Sequence, residues 1–304
     1  MRPMTKLEAD FNTALHGHAL AVEARLAMLA DAYLEPSPAA RLVEAMRYGL
    51  LGGGKRLRPF LVIESARLFG VPAEIALNTA AALECVHCYS LIHDDLPAMD
   101  DDDLRRGRPT VHKAFDEATA ILAGDGLLTF AFEILAMPGT HVDTSIRTEL
   151  VLDLARASGA SGMAGGQMLD LQAETRKLPV ASTLQLQAMK TGALIRFGCI
   201  AGAILGKASP DSCTALDRYG RTLGAAFQIS DDLLDAEGDS AVVGKATAKD
   251  AASGKATLVG QMGIAGARQE LQRLVTSATD ALRDFGDRAA PLAEAARFMA
   301  VRRS

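Results

Sequence analysis

Residues that build sheets are scarce in this 304-residue chain: it has no Trp, four Tyr and ten Phe, only 5% aromatic residues in all. Runs rich in Val or Ile are also few, while Ala and Leu abound among the 49% apolar residues. That balance disfavours sheets and predicts an all-α fold. Excess positive charge is missing too. With a net charge of −5, bulk attraction to nucleic acid or to an anionic membrane is excluded, so an anionic ligand must be met by local cations. The amino-terminal stretch carries Glu8 and Asp10 and no long apolar core, so no signal peptide is expected and a cytoplasmic location is. Asp125 and Arg196 interrupt the longest apolar stretches, and no membrane-spanning helix is expected. No linker, low-complexity tract or tandem repeat divides the chain, so residues 1–304 are expected to form a single domain.

Cysteine is sparse. Cys85-Val-His87-Cys88 superficially suggests zinc, but no second Cys or His pair has matching spacing. The four cysteines (85, 88, 199 and 213) read instead as small buried hydrophobes.

Periodic apolar patterns predict helices over 7–34, 39–51, 59–68, 73–96, 114–136, 145–157, 163–174, 180–205, 211–237, 258–285 and 292–302. Pro36, Pro38, Gly52 to Gly54, Gly70, Pro138, Pro179, Pro210 and Gly238 punctuate them. The predicted architecture is one helical bundle whose central helices are apolar around most of their circumference.

Carboxylate is concentrated in two places. Six aspartates stand within residues 94–103 (Asp94, Asp95 and Asp100 to Asp103), followed by Arg105-Arg106-Gly107-Arg108. A lone acidic run is commonly a solvated loop. The second cluster, Asp231-Asp232-Leu-Leu-Asp235, interrupts an apolar helical stretch instead, where Gln228, Asp231, Asp232 and Asp235 can share a face. Charges on such a helix need a partner or a metal. Crowded hard oxygens suit Mg²⁺, which keeps some waters and shares itself with substrate phosphates. Two acidic clusters beside arginines therefore point to a metal-bridged diphosphate site. Asp94 and Asp100, six apart, would lie about 120° out of alignment on a straight helix. Pro97 should end that helix near Asp95 or Leu96 and let the chain turn Asp100 back.

Cationic groups complete the pattern. Gly49-x₄-Gly54-Lys55 nearly matches a nucleotide P-loop, but Arg56 stands where Ser or Thr would hold Mg²⁺ and the preceding residues read as helix. The glycine turn can still aim Lys55 and Arg58 at an anion from a helix start. His87, two turns before Asp94, can donate to a phosphate. Lys190-Thr191 can meet an oxyanion, and Lys245 and Lys255 can close over a diphosphate.

Taken jointly, Gly54-Lys55-Arg56-Leu57-Arg58-Pro59, Ile92-His93-Asp94-Asp95-Leu96-Pro97-Ala98-Met99-Asp100, Gly166-Gln167-x₂-Asp170, Lys190-Thr191-Gly192 and Phe227-Gln228-x₂-Asp231-Asp232-x₂-Asp235 resemble the ordered motifs of short-chain trans-prenyl diphosphate synthases over about residues 40–260. The likeness is nearest to bacterial members that make a C15 diphosphate. It implies an isoprenoid-synthase bundle with a central active-site cavity, a homodimer, and head-to-tail condensation of isopentenyl diphosphate with dimethylallyl or geranyl diphosphate. By that resemblance Asp94, Asp100 and Asp231 hold three Mg²⁺, with Asp95, Asp232 and Asp235 as weaker ligands. Arg105, Lys190, Lys255 and Lys245 contact the allylic diphosphate, and Lys55, Arg58, His87 and Arg106 hold isopentenyl diphosphate. Thr191, Gln228 and the Lys190 carbonyl face the nascent cation, and Tyr89, beside the small Ser90, forms a floor that sets chain length. The rivals are a C20 synthase with a deeper pocket and a catalytically silent regulatory subunit. A terpene cyclase has no second substrate to engage Lys55, Arg58 and His87. The C-terminal stretch 298–304 resembles family tails only loosely, and Arg302 and Arg303 are assigned no role.

Overall fold

A computed structural model describes residues 6–34, 37–173, 179–237 and 258–301. Helices dominate: α1 (Lys6–Tyr33), α2 (Ala40–Leu50), α3 (Leu57–Arg67), α4 (Ala73–Asp94), α5 (Val111–Ala114), α6 (Glu117–Ala136), α7 (Thr144–Ser158), α8 (Met163–Ala173) and α9 (Val180–Gln187) come first. A π-helical turn (Ala188–Gly192) joins α9 to α10 (Ala193–Leu205). Then come α11 (Pro210–Glu237), α12 (Leu258–Ala281), a 3₁₀ segment (Arg283–Ala289) and α13 (Ala290–Val301). The all-α expectation holds, with most boundaries within a few residues of those predicted.

Three details depart from the pattern. The helix predicted over 114–136 begins at Glu117, because the Asp116 carboxylate caps it by accepting from the Thr119 amide at 2.7 Å. The stretch predicted as one helix over 180–205 contains the π turn that carries Lys190 and Thr191. A small hairpin, β1 (Leu104–Arg105) against β2 (Arg108–Pro109), was not anticipated. Its central residues Arg106 and Gly107 have φ of 54° and 73°, the left-handed pair that a two-residue primed turn requires.

The apolar faces meet in one core. α4 and α10 lie at its centre, and residues such as Leu83, Val86, Phe197 and Ala201 are fully buried. Phe11 of α1 meets Phe60 of α3 edge to face at 5.4 Å, and the buried Tyr219 of α11 donates to the Leu292 carbonyl of α13 at 2.7 Å. Cys85, Cys88 and Cys199 are buried thiols, and Cys213 is half-buried. Burial pushes the Cys88 thiol up to about 12.

The expectation about membrane-spanning helices needs correction. By length and composition, Ala73–Asp94, Glu117–Ala136 and Ala181–Leu205 are each long and apolar enough to cross a bilayer, since one or two charges do not offset an otherwise apolar average. Within the bundle 78%, 50% and 61% of these windows is buried, so neighbouring helices take up most of the apolar surface in the first and third.

A buried ion cluster ties the bundle together ahead of the site. Arg56, in the left-handed region at φ 49°, has a fully buried side chain that donates to Glu23 of α1, to Glu84 of α4 at 2.5 Å and to the Leu50 carbonyl at 2.7 Å. Removing one partner of such a cluster leaves an uncompensated buried charge, at a cost of about 3–5 kcal/mol. Glu84→Ala should therefore lower the thermal midpoint by several degrees. A melting curve matching the parent would remove Arg56 from this structural role.

Candidate active site

The end of α4 shows how the first motif is folded. α4 stops at Asp94, and the turn through Pro97 brings the Asp100 amide to the Asp94 carbonyl at 2.9 Å. The two carboxylates are close enough to oppose one another electrostatically. Burial pushes the Asp94 carboxyl up to about 6; Lys190 opposes this, and Asp100 adds to it.

Asp94 opens onto a cavity of about 720 Å³. Its polar wall carries Asp94, Asp231, Lys190, Arg58, Arg105, Arg106 and His87, contributed by α3, α4, the hairpin, the π turn and α11. Tyr89, Ser90, Met163, Leu171, Leu194 and Phe227 supply much of the rest. Charged groups and an apolar recess thus share one space, with Tyr89 about 7.5 Å below Asp94 along α4.

In both aspartate pairs the second member turns away. Asp95 is 3% exposed and accepts from Arg105 Nε at 2.7 and 2.9 Å and from its terminal nitrogen at 2.5 Å, so this expected weaker ligand faces the hairpin rather than the cavity. Asp232 is likewise buried and accepts from the Gln228 amide at 3.0 Å and the Gln187 amide at 3.3 Å. Gln228 in turn accepts from the Thr191 hydroxyl at 3.1 Å. Thr191 lines the cavity while Gln228 stands behind it. Asp100, Asp235 and Lys55 are also outside the wall itself.

The basic side is held with equal care. Arg58 approaches His87 Nε2 at 3.3 Å and lies over the Phe227 ring at 5.9 Å. Because guanidinium only donates, His87 accepts at Nε2 and keeps its proton on Nδ1. Burial first, then the Arg58 charge, holds His87 well below the ordinary histidine range, so it is neutral. Lys55 sits 5.5 Å from the Phe298 ring of α13. Arg106 donates to the Gly53 carbonyl, joining the glycine turn to the hairpin. Lys190 pairs with Asp170 at 2.6 Å. A Cβ on Gly166 would stand 2.2 Å from the Lys190 amide nitrogen, so only glycine lets α8 approach the π turn this closely. Lys245 and Lys255 lie outside the described residues.

Sequence reasoning gave no role to Phe298, His93, Met99 or the Gln167 side chain. Arg58 Nε and both polar atoms of Gln167 are buried without a hydrogen-bond partner among the described residues, and both residues line the cavity. Among those residues no three His, Cys, Asp or Glu side chains gather tightly enough to hold an ion unaided. Carboxylates on two helices bordering one cavity do fit Mg²⁺, whose remaining ligands are water and substrate phosphate.

The raised Asp94 carboxyl has a stability consequence. The folded protein retains its proton up to about pH 6, whereas the unfolded chain loses it near its ordinary value of 3.8. Stability is therefore lost as pH rises from about 4 to 6, and the loss persists above. In chelator, Asp94→Asn should raise stability at pH 8 by roughly 1–3 kcal/mol, with the gain vanishing toward pH 4. Melts across that range check this, and a gain that does not depend on pH would contradict it.

Known proteins place this geometry in context. The polyprenyl synthetase family profile matches residues 39–287. The chain is 47% identical over 250 residues to farnesyl diphosphate synthase of Escherichia coli K12, covering 81% of this chain and 83% of that protein. It is 42% identical over 264 residues to farnesyl diphosphate synthase of Geobacillus stearothermophilus, covering 86% and 89%. The apo crystal structure of an FPP/GFPP synthase from Zymomonas mobilis superposes with a TM-score of 0.87 at 45% identity, covering 96% of this chain and 99% of that one. With the motifs in order and the cavity in place, the chain belongs to the polyprenyl synthetase family.

Proposed function

We propose that the chain is a prenyltransferase that condenses isopentenyl diphosphate with dimethylallyl and then geranyl diphosphate to give (2E,6E)-farnesyl diphosphate and inorganic diphosphate. The observation that carries this reading is the shared cavity: two carboxylates, Asp94 and Asp231, face cationic side chains across a space that continues between Tyr89, Met163, Leu194 and Phe227. The 42–47% identity to farnesyl diphosphate synthases supports the C15 product.

In this reading Asp94, Asp100 and Asp231 hold Mg²⁺, three ions when substrate is bound. Bound there, Mg²⁺ would supply positive charge to offset what develops on the diphosphate as the allylic C–O bond breaks. Lys190 and Arg105 bind that same diphosphate, with Lys245 and Lys255 as further contacts. Asp95 serves by clamping Arg105 rather than as a ligand, its carboxylate being engaged there. Lys55, Arg58, His87 and Arg106 hold isopentenyl diphosphate, to which neutral His87 offers its Nδ1 proton. Thr191, oriented by Gln228, and the Lys190 carbonyl face the allylic cation. The apolar wall excludes water that would otherwise capture it. The isopentenyl double bond then forms the new C–C bond and a proton leaves, with the released diphosphate a suitable base.

We assign residues 1–304 to one polyprenyl synthase domain acting in the cytoplasm as a homodimer. Ile121 and Leu122, 45% and 55% exposed on α6, support a face that a second copy covers. Purified protein incubated with Mg²⁺, isopentenyl diphosphate and dimethylallyl diphosphate should give mainly a C15 diphosphate by chromatography. No condensation would indicate a silent subunit. Tyr89→Ala should deepen the recess and shift the main product to C20 or longer, and unchanged C15 output would refute the floor.

A further inference from the structure

His93 and Gly124 have no part in the chemistry above, yet they meet at the cavity wall. His93 lies one residue before Asp94 and four after Tyr89 on α4, and it lines the cavity with both. Its ring stands edge-on to Tyr89, with centroids 5.6 Å apart at 81°. On its other side, Nε2 lies 3.0 Å from the Ile121 carbonyl of α6. A carbonyl only accepts, so Nε2 carries the proton and this bond draws the ring toward α6.

The ring fits there because residue 124 has no side chain. A Cβ on Gly124 would stand 2.1 Å from His93 Nε2, 2.4 Å from Cδ2 and 2.8 Å from Cε1. Three atoms of one rigid ring cannot all move aside by a small rotation. α6 is packed on its inner face, with Ala123 and Leu127 fully buried, so a displaced ring cannot move deeper into α6, and the cavity that it already lines is open to it.

We propose that Gly124 and His93 form a chain-length device: the slot at Gly124 holds the imidazole back against the cavity wall, and the ring held there buttresses Tyr89. His93 sits about 6 Å above Tyr89 along the helix axis. A ring driven out of the slot therefore intrudes above the floor, where the growing chain must pass. The inference rests on the prenyltransferase reading and adds to it residues that govern which allylic substrate is accepted without touching either diphosphate.

Gly124→Ala, His93→Ala and the double substitution test it beside the parent enzyme. The readouts are C10:C15:C20 product ratios, kcat/KM for geranyl relative to dimethylallyl diphosphate, and thermal melting. Gly124→Ala should reduce the preference for geranyl diphosphate about tenfold or more, the size of an overpacked contact, and C10 product should accumulate. His93→Ala should yield a C20 fraction, because Tyr89 loses its support. The double substitution should regain use of geranyl diphosphate, since no ring remains to displace. A folded Gly124→Ala protein with unchanged product and unchanged preference would overturn the proposal, as would a double substitution no better than Gly124→Ala. Should Gly124→Ala not fold, His93→Ala decides, and C15 alone from it refutes the device. A parent enzyme that fails to condense its substrates would instead refute the underlying function.

Discussion

Everything that presents charge to the cavity from the α3 side depends on one buried guanidinium. Arg56 is enclosed by Glu23, Glu84, the Leu50 carbonyl and the Cys88 thiol, which belong to α1, α2 and α4. Taking a charge out of water costs several kcal/mol, and here two carboxylates and a carbonyl offset it. To reach them the backbone adopts a left-handed turn at residue 56, which L-residues rarely occupy. That turn sends Lys55 to one side, toward Phe298, while Arg58 enters the cavity from the first turn of α3. The α3 share of the basic wall is thus fixed by a buried ion cluster that lies outside the cavity lining. The resemblance of Gly49–Lys55 to a nucleotide loop ends at the same residue. Arg56 points inward to hold helices, where a nucleotide-binding chain would place a hydroxyl for a metal.

The acidic half follows the opposite logic. Asp94 is left with an electrostatic deficit: it is mostly desolvated and close to Asp100, and the cations that oppose this, Lys190 and Arg105, are shared with Asp170 and Asp95. A structure selected for stability alone would not retain that arrangement. It is suited to receiving cations with an anionic substrate. Leu194 and Phe227, on the same cavity wall, bring apolar side chains that do not compete for those cations.

Much of this was legible before any coordinates. Helix ends followed Pro and Gly, and Pro97 alone gave the reason why Asp100 returns to Asp94. Three features were hidden by residue choice. The hairpin at 104–109 places Arg106 at a position where Asn or Gly would have signalled a primed turn. The π turn has the same apolar spacing as the α-helix around it, and its extra residue shows only in the hydrogen bonding. Burial of α6 depends on what covers it, and the apolar pattern of 117–136 reads equally well as core, interface or bilayer.

The aspartate pairs carry a lesson that sequence geometry could have supplied. Neighbouring residues on a helix project about 100° apart, so two adjacent carboxylates need not share one role at a cavity. In α4 and again in α11 the first of the pair, Asp94 or Asp231, lines the wall. The second points back and holds a neighbour: Asp95 holds Arg105, and Asp232 holds Gln228, which in turn orients Thr191. Each pair therefore joins a carboxylate that faces the cavity to one that anchors a neighbouring side chain, and one short motif sets both. In both motifs the doubled aspartate is one cavity-facing carboxylate beside one that anchors a neighbour. On this account, replacing the second member should disturb orientation in the site while leaving the count of cavity carboxylates unchanged.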